Sequence, residues 1–240
     1  MRNDIPESRK GADSVTMIAS IIMPVLNEAQ LLSVSALTLR RLQRKAELLI
    51  VDGGSSDDSV ILAESITSSV LQTAAGRALQ MNAGAAAAHA DYLVFLHADT
   101  QLPDDFPDFL AALSHSRPEW GFFTVKLEPG NKSLSVVGRF MNWRSRLTAV
   151  ATGDQAIFVK RTNFTSMGGF AAIPLMEDVE LCKRLRRLAR PFIWSSPVHT
   201  SSRRWRQRGV LPTVCLMWGL RLQYVLGVSP QRLYQKYYGK

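Results

Sequence analysis

The residue types best suited to chemistry sit in short polar segments: Pro24-Val25-Leu26-Asn27-Glu28, Asp52-Gly53-Gly54-Ser55-Ser56-Asp57-Asp58, His97-Ala98-Asp99 and Glu177-Asp178. The first three each follow a short apolar run. An aspartate leaving such a run, as Asp52 does, can accept hydrogen bonds from a nucleobase or ribose. Gly53 and Gly54 let the backbone turn sharply and a ligand come close. A carboxylate at Asp99 can ligate a hard divalent cation, with phosphate oxygens and water completing the shell. Such an ion neutralises a leaving diphosphate. Glu177 and Asp178 open a helical pattern after Pro174. Neighbours on a helix point about 100° apart, so one acid can face a site while the other caps or pairs. A general base must reach its hydroxyl directly or through one water. Residue types alone do not choose between these two acids.

Each of these residues also has a plain structural reading. Asp52 and Asp99 can cap turns. Asn27 and Glu28 can start a helix, and Glu177 can complement a helix dipole. Asp154, after Gly153 and before Gln155, is either a turn residue or an acceptor contact. Arg77 is either a solvated helix start or a phosphate contact. Glu180 pairs naturally with Arg184 one turn on, and His89 and His115 read as helix-end or surface residues.

The elements that must position the site alternate in type. Strands are predicted over 17–23 (ending at Pro24), 47–51, 69–72 and 92–96, with helices over 31–44, 58–66 and 77–89 between them. This order predicts an α/β chain with a mostly parallel, doubly wound sheet. In such sheets ligands bind outside the carboxyl ends of the strands, which is where the first three polar segments fall. Helices are further predicted over 106–113, 133–150 and 176–188, and strands over 121–127 and 156–160. The second half packs on the first rather than forming a separate domain.

Composition sets bounds on this reading. With 240 residues, 46% of them hydrophobic and 20% charged, the chain can bury one core of ordinary size. Its cysteines, Cys182 and Cys215, have neither metal-knuckle nor disulfide spacing and point to a reducing, cytoplasmic setting. The net charge of +9 gathers late, in Lys183, Arg184, Arg186, Arg187 and Arg190 and again in Arg203, Arg204, Arg206 and Arg208. That surface suits a nucleoside diphosphate or an anionic lipid. No nucleic-acid-binding module is recognisable, so nucleic acid is not expected as a partner. Residues 1–13 are polar, lack an apolar targeting segment and read as a loose leader. The stretch 210–228 is the most apolar but carries Arg221 and Gln223, and a mid-bilayer arginine costs at least about 2.5 kcal/mol. It reads as a helix packed on the domain or on a second copy, or as an interfacial helix at the inner face of a membrane. The organisation expected is a leader over 1–13, a catalytic domain over 14–205, and an apolar helix with a basic, aromatic tail over 206–240.

The four polar segments, in this order and spacing from about Ala19 to Leu188, resemble family 2 glycosyltransferases. The resemblance implies the GT-A fold, a nucleotide-diphosphate sugar donor (UDP-sugar favoured), a hydroxyl acceptor and direct displacement with inversion. It implies that Asp52 contacts the nucleoside and that Asp99 holds a divalent metal, Mn2+ or Mg2+; Pro24, Asn27, Glu28, Gly53 and Arg77 are the further candidates for the donor site. It places the general base at Asp178, beside Glu177. The phrase Gly76-Arg77-Ala78-Leu79-Gln80-Met81-Asn82-Ala83-Gly84, with Gly153-Asp154-Gln155, is similar to a short bacterial subgroup that accompanies radical-SAM partners and is named for arsenosugar biosynthesis. One departure is His97, where the family's metal motif has an aspartate. Imidazole can ligate manganese but suits magnesium less, so His97, and His199 later in the chain, are candidate ligands. Ser202-Arg203-Arg204-Trp205 is similar to an arginine–tryptophan motif of processive relatives. Arg203 and Arg204 then read as a diphosphate clamp and Trp205 as a sugar platform, with Asp154 and Gln155 as acceptor contacts.

Two other functions fit the same residues less well. A sugar nucleotidyltransferase needs a glycine-rich first loop, and 24–28 has no glycine. A non-catalytic basic module for membranes or proteins would leave the acidic set without a task.

Overall fold

A computed structural model describes residues 17–239. The expected leader over 1–13, and Lys240 of the tail, lie outside the described residues. In chain order the elements are β1 (Ala19–Val25), α1 (Ala29–Leu42), β2 (Glu47–Asp52), α2 (Ser59–Ile66), β3 (Val70–Gln72), α3 (Arg77–Ala87), β4 (Tyr92–Phe95) and β5 (Thr100–Gln101). Then come α4 (Phe106–Ser116), β6 (Trp120–Glu128), α5 (Lys132–Thr148), a 3-10 turn (Gly153–Gln155), β7 (Ile157–Lys160), α6 (Arg161–Ser166) and α7 (Glu177–Leu188). The chain closes with β8 (Phe192–Ser201), α8 (Arg203–Arg208), α9 (Val210–Val225) and α10 (Pro230–Tyr238).

Strand side chains alternate between two apolar layers, the consequence of a period of two. Ile22, Leu49, Val51, Leu93 and Phe95 face a layer completed by Ala78 and Met81 of α3 and by Val179, Cys182 and Leu185 of α7. Ile21, Met23, Leu48, Ile50 and Val94 face the opposite layer, with Leu32 and Leu39 of α1, Ala63 of α2 and Phe109 of α4. Burial on both faces explains why these strands read as unbroken apolar runs.

The sheet order is β3-β2-β1-β4-β7-β6-β8-β5. β1, β2, β3 and β4 are parallel neighbours, as are β6 and β8; β7 and β5 run antiparallel to theirs. The mostly parallel, doubly wound sheet predicted from the sequence is therefore present. β1 does not stop at Pro24 but continues to Val25, paired with Asp52. β4 ends opposite Ile22, so the N–H that Pro24 lacks has no ladder to complete on that side.

The late elements depart most from expectation. β8 carries Ser195-Ser196-Pro197 and is mostly half-exposed, with a register shift against β6; no apolar alternation announces it. α6 and α8 are short and polar. The stretch 210–228 is α9 and the turn that ends it at Gly227, whose φ is 88°, and α10 follows it. One face of this pair joins the core through Leu220, Leu233 and Tyr237, which supports the packed-helix reading. The boundary drawn between 205 and 206 falls inside α8. No helix among the described residues is long and apolar enough to cross a membrane. The outer face of α9 leaves Trp218 beside Phe140 of α5, with ring centroids 5.4 Å apart, and Trp143 and Leu222 are exposed nearby in sequence on the same two helices.

The junction of β6 and β8 gives a direct test of the packing. A Cβ on Gly121 would sit 1.9 Å from the Phe192 carbonyl oxygen and 2.4 Å from the Phe158 ring. Gly121→Ala is expected to cost about 3 kcal/mol, the upper range for overpacking, read as a lower urea midpoint. An unchanged midpoint would mean the two strands do not approach as described.

Candidate active site

The site starts from the ends of two parallel strands. The carbonyls of Val25, last in β1, and of Val51, last but one in β2, both accept from the Gln80 Nε2 amide at 2.8 Å. Gly53 N–H adds a bond to Val25 O at 2.9 Å. A Cβ on Gly53 would meet the Gln80 amide at 3.0 Å, so any larger residue would push that amide aside. Beyond the strands the two loops are laced together. Asn27 takes a left-handed φ of 54°. Its N–H donates to Ser55 Oγ, and its Oδ1 accepts from the Ser56 N–H, both at 2.8 Å. Glu28 N–H donates to Ser59 Oγ at 2.8 Å and Ala29 N–H to Asp57 Oδ2 at 3.1 Å.

Asp52 is buried and turned onto its own loop. Its Oδ2 accepts from the N–H groups of Gly54 and Ser55 at 2.8 and 3.0 Å, and its Oδ1 from the Ser55 hydroxyl. The turn-capping reading of Asp52 is thus realised in the structure. Pro24 is half-buried at the same rim, and Glu28 stands at its edge, half-buried.

The end of β4 brings the next group. Asp99 has one side-chain partner among the described residues, the Thr100 hydroxyl at 3.3 Å. The His97 ring lies against Gly153, where a Cβ would fall 2.3 Å from the imidazole. His97 Nδ1 is 3.5 Å from Asp154 Oδ1. Burial pushes the Glu28 carboxyl above its ordinary value; Asp99 and Asp57 add to this, while Arg203 and His97 oppose it. Glu28, Asp99, His97 and Arg203 therefore share one electrostatic neighbourhood. Asp154 is held below the ordinary carboxylate value: burial opposes this, but the His97 hydrogen bond and the charges of His97, Arg77 and Arg204 prevail.

α7 supplies the acid pair. Met176 precedes it with a φ of 70°, which aims the first helical turn. Asp178 Oδ2 accepts from the Gly153 N–H at 2.9 Å and Oδ1 from the Val179 N–H at 2.7 Å. Glu177 is buried, and Arg77 Nη1 lies 3.4 Å from its Oε1. Burial and the neighbouring Asp178 charge push the Glu177 carboxyl up against the pull of Arg77. Glu180 pairs with Arg184, Nε to Oε1 at 2.8 Å, as the sequence suggested.

One turn therefore joins two segments: Gly153 holds Asp178 while Asp154 holds His97, next to Asp99. Other candidates go elsewhere. Gln155 needs correction as an acceptor contact. It is fully buried, its Oε1 accepting from Ser145 Oγ at 2.7 Å and Thr152 N–H at 3.2 Å. Its amide is consumed inside the fold. His199 is the other histidine named as a candidate metal ligand. It sits on β8 opposite Gln101, with Nδ1 3.6 Å from Glu128 Oε1, while His97 turns to Asp154. Among the described residues no three His, Cys, Asp or Glu side chains gather as a protein-only metal site. Arg204 is exposed; its Nη1 donates to the Tyr237 hydroxyl, and the guanidinium lies over that ring at 5.1 Å. Trp205 packs half-buried against the layer of Phe106 and Phe109. Arg203 stays exposed and lines a cavity with Pro129, Ser201, Arg206 and Gln207. Gln80 and the Gly153 N–H are positioning groups that residue types did not single out.

The comparisons with known proteins then decide the family. The glycosyl transferase family 2 profile matches residues 20–159, more than half of the chain and all of the first rim. The chain belongs to glycosyl transferase family 2. No curated protein sequence matches it significantly. Among solved structures it is similar to S. aureus TarS 1-349, with 16% identity and a TM-score of 0.63 over 78% of this chain and 61% of that one. It is also similar to glucosyl-3-phosphoglycerate synthase from Mycobacterium tuberculosis in complex with Mn2+, UDP and glucosyl-3-phosphoglycerate, at 20% identity and a TM-score of 0.55, over 77% of this chain and 70% of that one. A third is the mannosyltransferase PcManGT from Pyrobaculum calidifontis in complex with GDP-Man and Mn2+, at 18% and 0.54, over 76% and 56%. The chain thus spans about three fifths of the TarS fragment's length. At these identities the likeness establishes a shared fold, the GT-A fold of the family's transferases.

Two outcomes test the rim. Gln80→Leu strips a donor from two buried carbonyls and is expected to cost about 1–3 kcal/mol, seen as a lower urea midpoint. Glu28 gives a pH signature. Its folded value is raised, so ionisation penalises the native state as pH rises through the carboxylate range, and the penalty is absent well below it. Glu28→Gln is therefore expected to melt above wild type at pH 8, with the gap closing by pH 4. A gap that widens on acidification would show the sign is wrong.

Proposed function

We propose that this chain transfers a sugar from a nucleotide-diphosphate sugar, UDP-linked by preference, to a hydroxyl acceptor with inversion at the sugar carbon. The observation that carries the proposal is the turn 153–155, which ties Asp178 to the end of β4 where Asp99 stands. Family membership supports the reaction class. The complexes of similar folds with UDP, UDP-GlcNAc and GDP-Man support the donor class. The finer resemblance, to the short subgroup named for arsenosugar biosynthesis, rests on the Gly76–Gly84 phrase and is part of this proposal.

The residues divide the work. Asp178, fixed by two backbone N–H groups, accepts the proton of the attacking hydroxyl. The acceptor oxygen bonds the sugar carbon as the bond to the diphosphate breaks, and that electron pair leaves with the nucleoside diphosphate. Glu177, paired with Arg77, orients the start of α7 rather than reacting. Asp99 suits a divalent cation, Mn2+ or Mg2+: it has little protein pairing, and its charge adds to the burial that raises the Glu28 carboxyl. A bound ion would neutralise charge on the departing diphosphate. His97 orients through Asp154 and Gly153. Arg203, with Arg204 next to it, meets the diphosphate. Asn27, Gly53 and the Asp52 loop form the nucleoside side, and Asp154 stands toward the acceptor. The exposed Phe140, Trp143 and Trp218 support a surface contact by the C-terminal region, with the inner face of a membrane or a second copy, in a cytoplasmic protein.

The test is calorimetric and kinetic. UDP and UDP-sugars are titrated with Mn2+ and with a chelator. Mn2+ is expected to tighten binding at least about tenfold in wild type, and Asp99→Ala to abolish that gain. Asp178→Asn is expected to keep donor binding and lose about 10²–10⁴ in turnover. Donor binding indifferent to both the metal and Asp99 would overturn the metal role, and full turnover by Asp178→Asn would overturn the base.

A further inference from the structure

Among the described residues, the buried side-chain polar atoms without any partner are Arg144 Nε, Thr152 Oγ1 and Arg221 Nη2. They do not belong to scattered defects. Arg144, near the end of α5, donates through Nη2 to Ser145 Oγ at 3.1 Å. Ser145 Oγ donates to Gln155 Oε1 at 2.7 Å, and Thr152 N–H donates to the same oxygen at 3.2 Å. The next residue, Gly153, holds Asp178. Arg144 and Thr152 are thus tied to the turn that positions the proposed base. Arg221 comes from α9, next to Leu220, which is buried in the layer that includes Cys182, one turn along α7 from Asp178.

Burial lowers the Arg144 guanidinium to about 10, and the charge of Arg221 adds to the shift; Asp178 and Asp154 act the other way. Burial likewise lowers Arg221, against the pull of Asp178, Cys182 and Asp154. The two cations therefore crowd each other beside Asp178, yet neither has a carboxylate within 4.0 Å among the described residues. Asp178 and Asp154 are the carboxylates that act on both. Uncompensated charge in such surroundings is costly. Two like charges with unused donors are matched by one doubly charged oxyanion, and the guanidinium fork fits phosphate oxygens in pairs.

We propose that Arg144 and Arg221, with the Thr152 hydroxyl, form a receptor for a phosphate monoester on the acceptor, set on the Asp178 side of the site rather than the Asp99 side. This rests on the sugar-transfer reading for the role of the bound molecule, but not for its binding. The acceptor class is then a phosphorylated hydroxyl compound, whose phosphate anchors in the arginine pair while a free hydroxyl meets Asp178.

Glycerol 3-phosphate and glycerol are the probes, titrated into the full chain with and without saturating UDP and Mn2+. Wild type is expected to bind glycerol 3-phosphate and not glycerol, equally well when UDP is present. Arg144→Gln with Arg221→Gln is expected to weaken glycerol 3-phosphate at least tenfold. The conservative pair Arg144→Lys with Arg221→Lys, which keeps charge but loses the fork, is expected to fall between. The phosphate-free melting temperature of the glutamine pair is expected to be no lower than wild type, since two unpaired buried charges are removed. Should that pair misfold, the lysine pair and Arg221→Gln alone carry the comparison. Equal affinity in wild type and these variants overturns the proposal, as does one-for-one displacement of glycerol 3-phosphate by UDP, which would assign the arginines to the donor. Failure of wild type to bind UDP would instead count against the sugar-transfer reading and leave the phosphate result intact.

Discussion

The Gln80 side chain is the constraint on which the rest of the rim depends. Two parallel strands end side by side, and the buried carbonyls of Val25, which also accepts from the Gly53 N–H, and of Val51 need donors there. One amide satisfies both, and in doing so fixes the distance between the ends of β1 and β2. That spacing allows the following loops to be laced by Asn27, Ser55, Ser56, Asp57 and Ser59. Glu28 then emerges from a rigid edge. A group held this way spends little reorganisation on meeting a ligand, which is the basis of electrostatic preorganisation.

The same rim sorts its acids by what remains unpaired. Asp52 and Asp57 have their oxygens taken by loop donors. Among the described residues Glu28 has no side-chain hydrogen bond and Asp99 has one, from the Thr100 hydroxyl, and the charge of Asp99 helps to raise the Glu28 carboxyl. Glu177 and Asp178 are adjacent in sequence yet differ in surroundings: one is buried against Arg77, the other faces the 153–155 turn. Geometry thus separates the pair that residue types left equivalent.

Much of the first half was legible in the sequence. Its strands are buried on both faces, so their apolar runs are unbroken, and the polar segments at their ends mark the rim. The strand end expected at residue 23, before Pro24, fell two residues short of Val25 because the neighbouring strand stops first and removes the penalty. Legibility fell where tertiary context outweighs local pattern. β8 is half-exposed and carries a bulge next to a proline, so no alternation survives. Gln155 and Asp154 adjoin in sequence but face opposite ways, one into the core and one toward His97, because a tight turn separates them. Nothing in residue type distinguishes the two. Arg204 looked equal to Arg203 until α10 brought Tyr237 beside it, a contact between segments more than thirty positions apart.

The backbone of the site has a thermodynamic consequence. Asn27, Ala156 and Met176 all adopt positive φ, and they flank Glu28, the 153–155 turn and Glu177. For residues with a Cβ this region costs on the order of 1–3 kcal/mol each. That free energy is recovered only through the surrounding contacts, so these joints relax as soon as their neighbours loosen. Catalytic competence is then a more fragile property than foldedness, and variants chosen only for remaining folded can accumulate lesions that silence the enzyme while leaving its sheet intact.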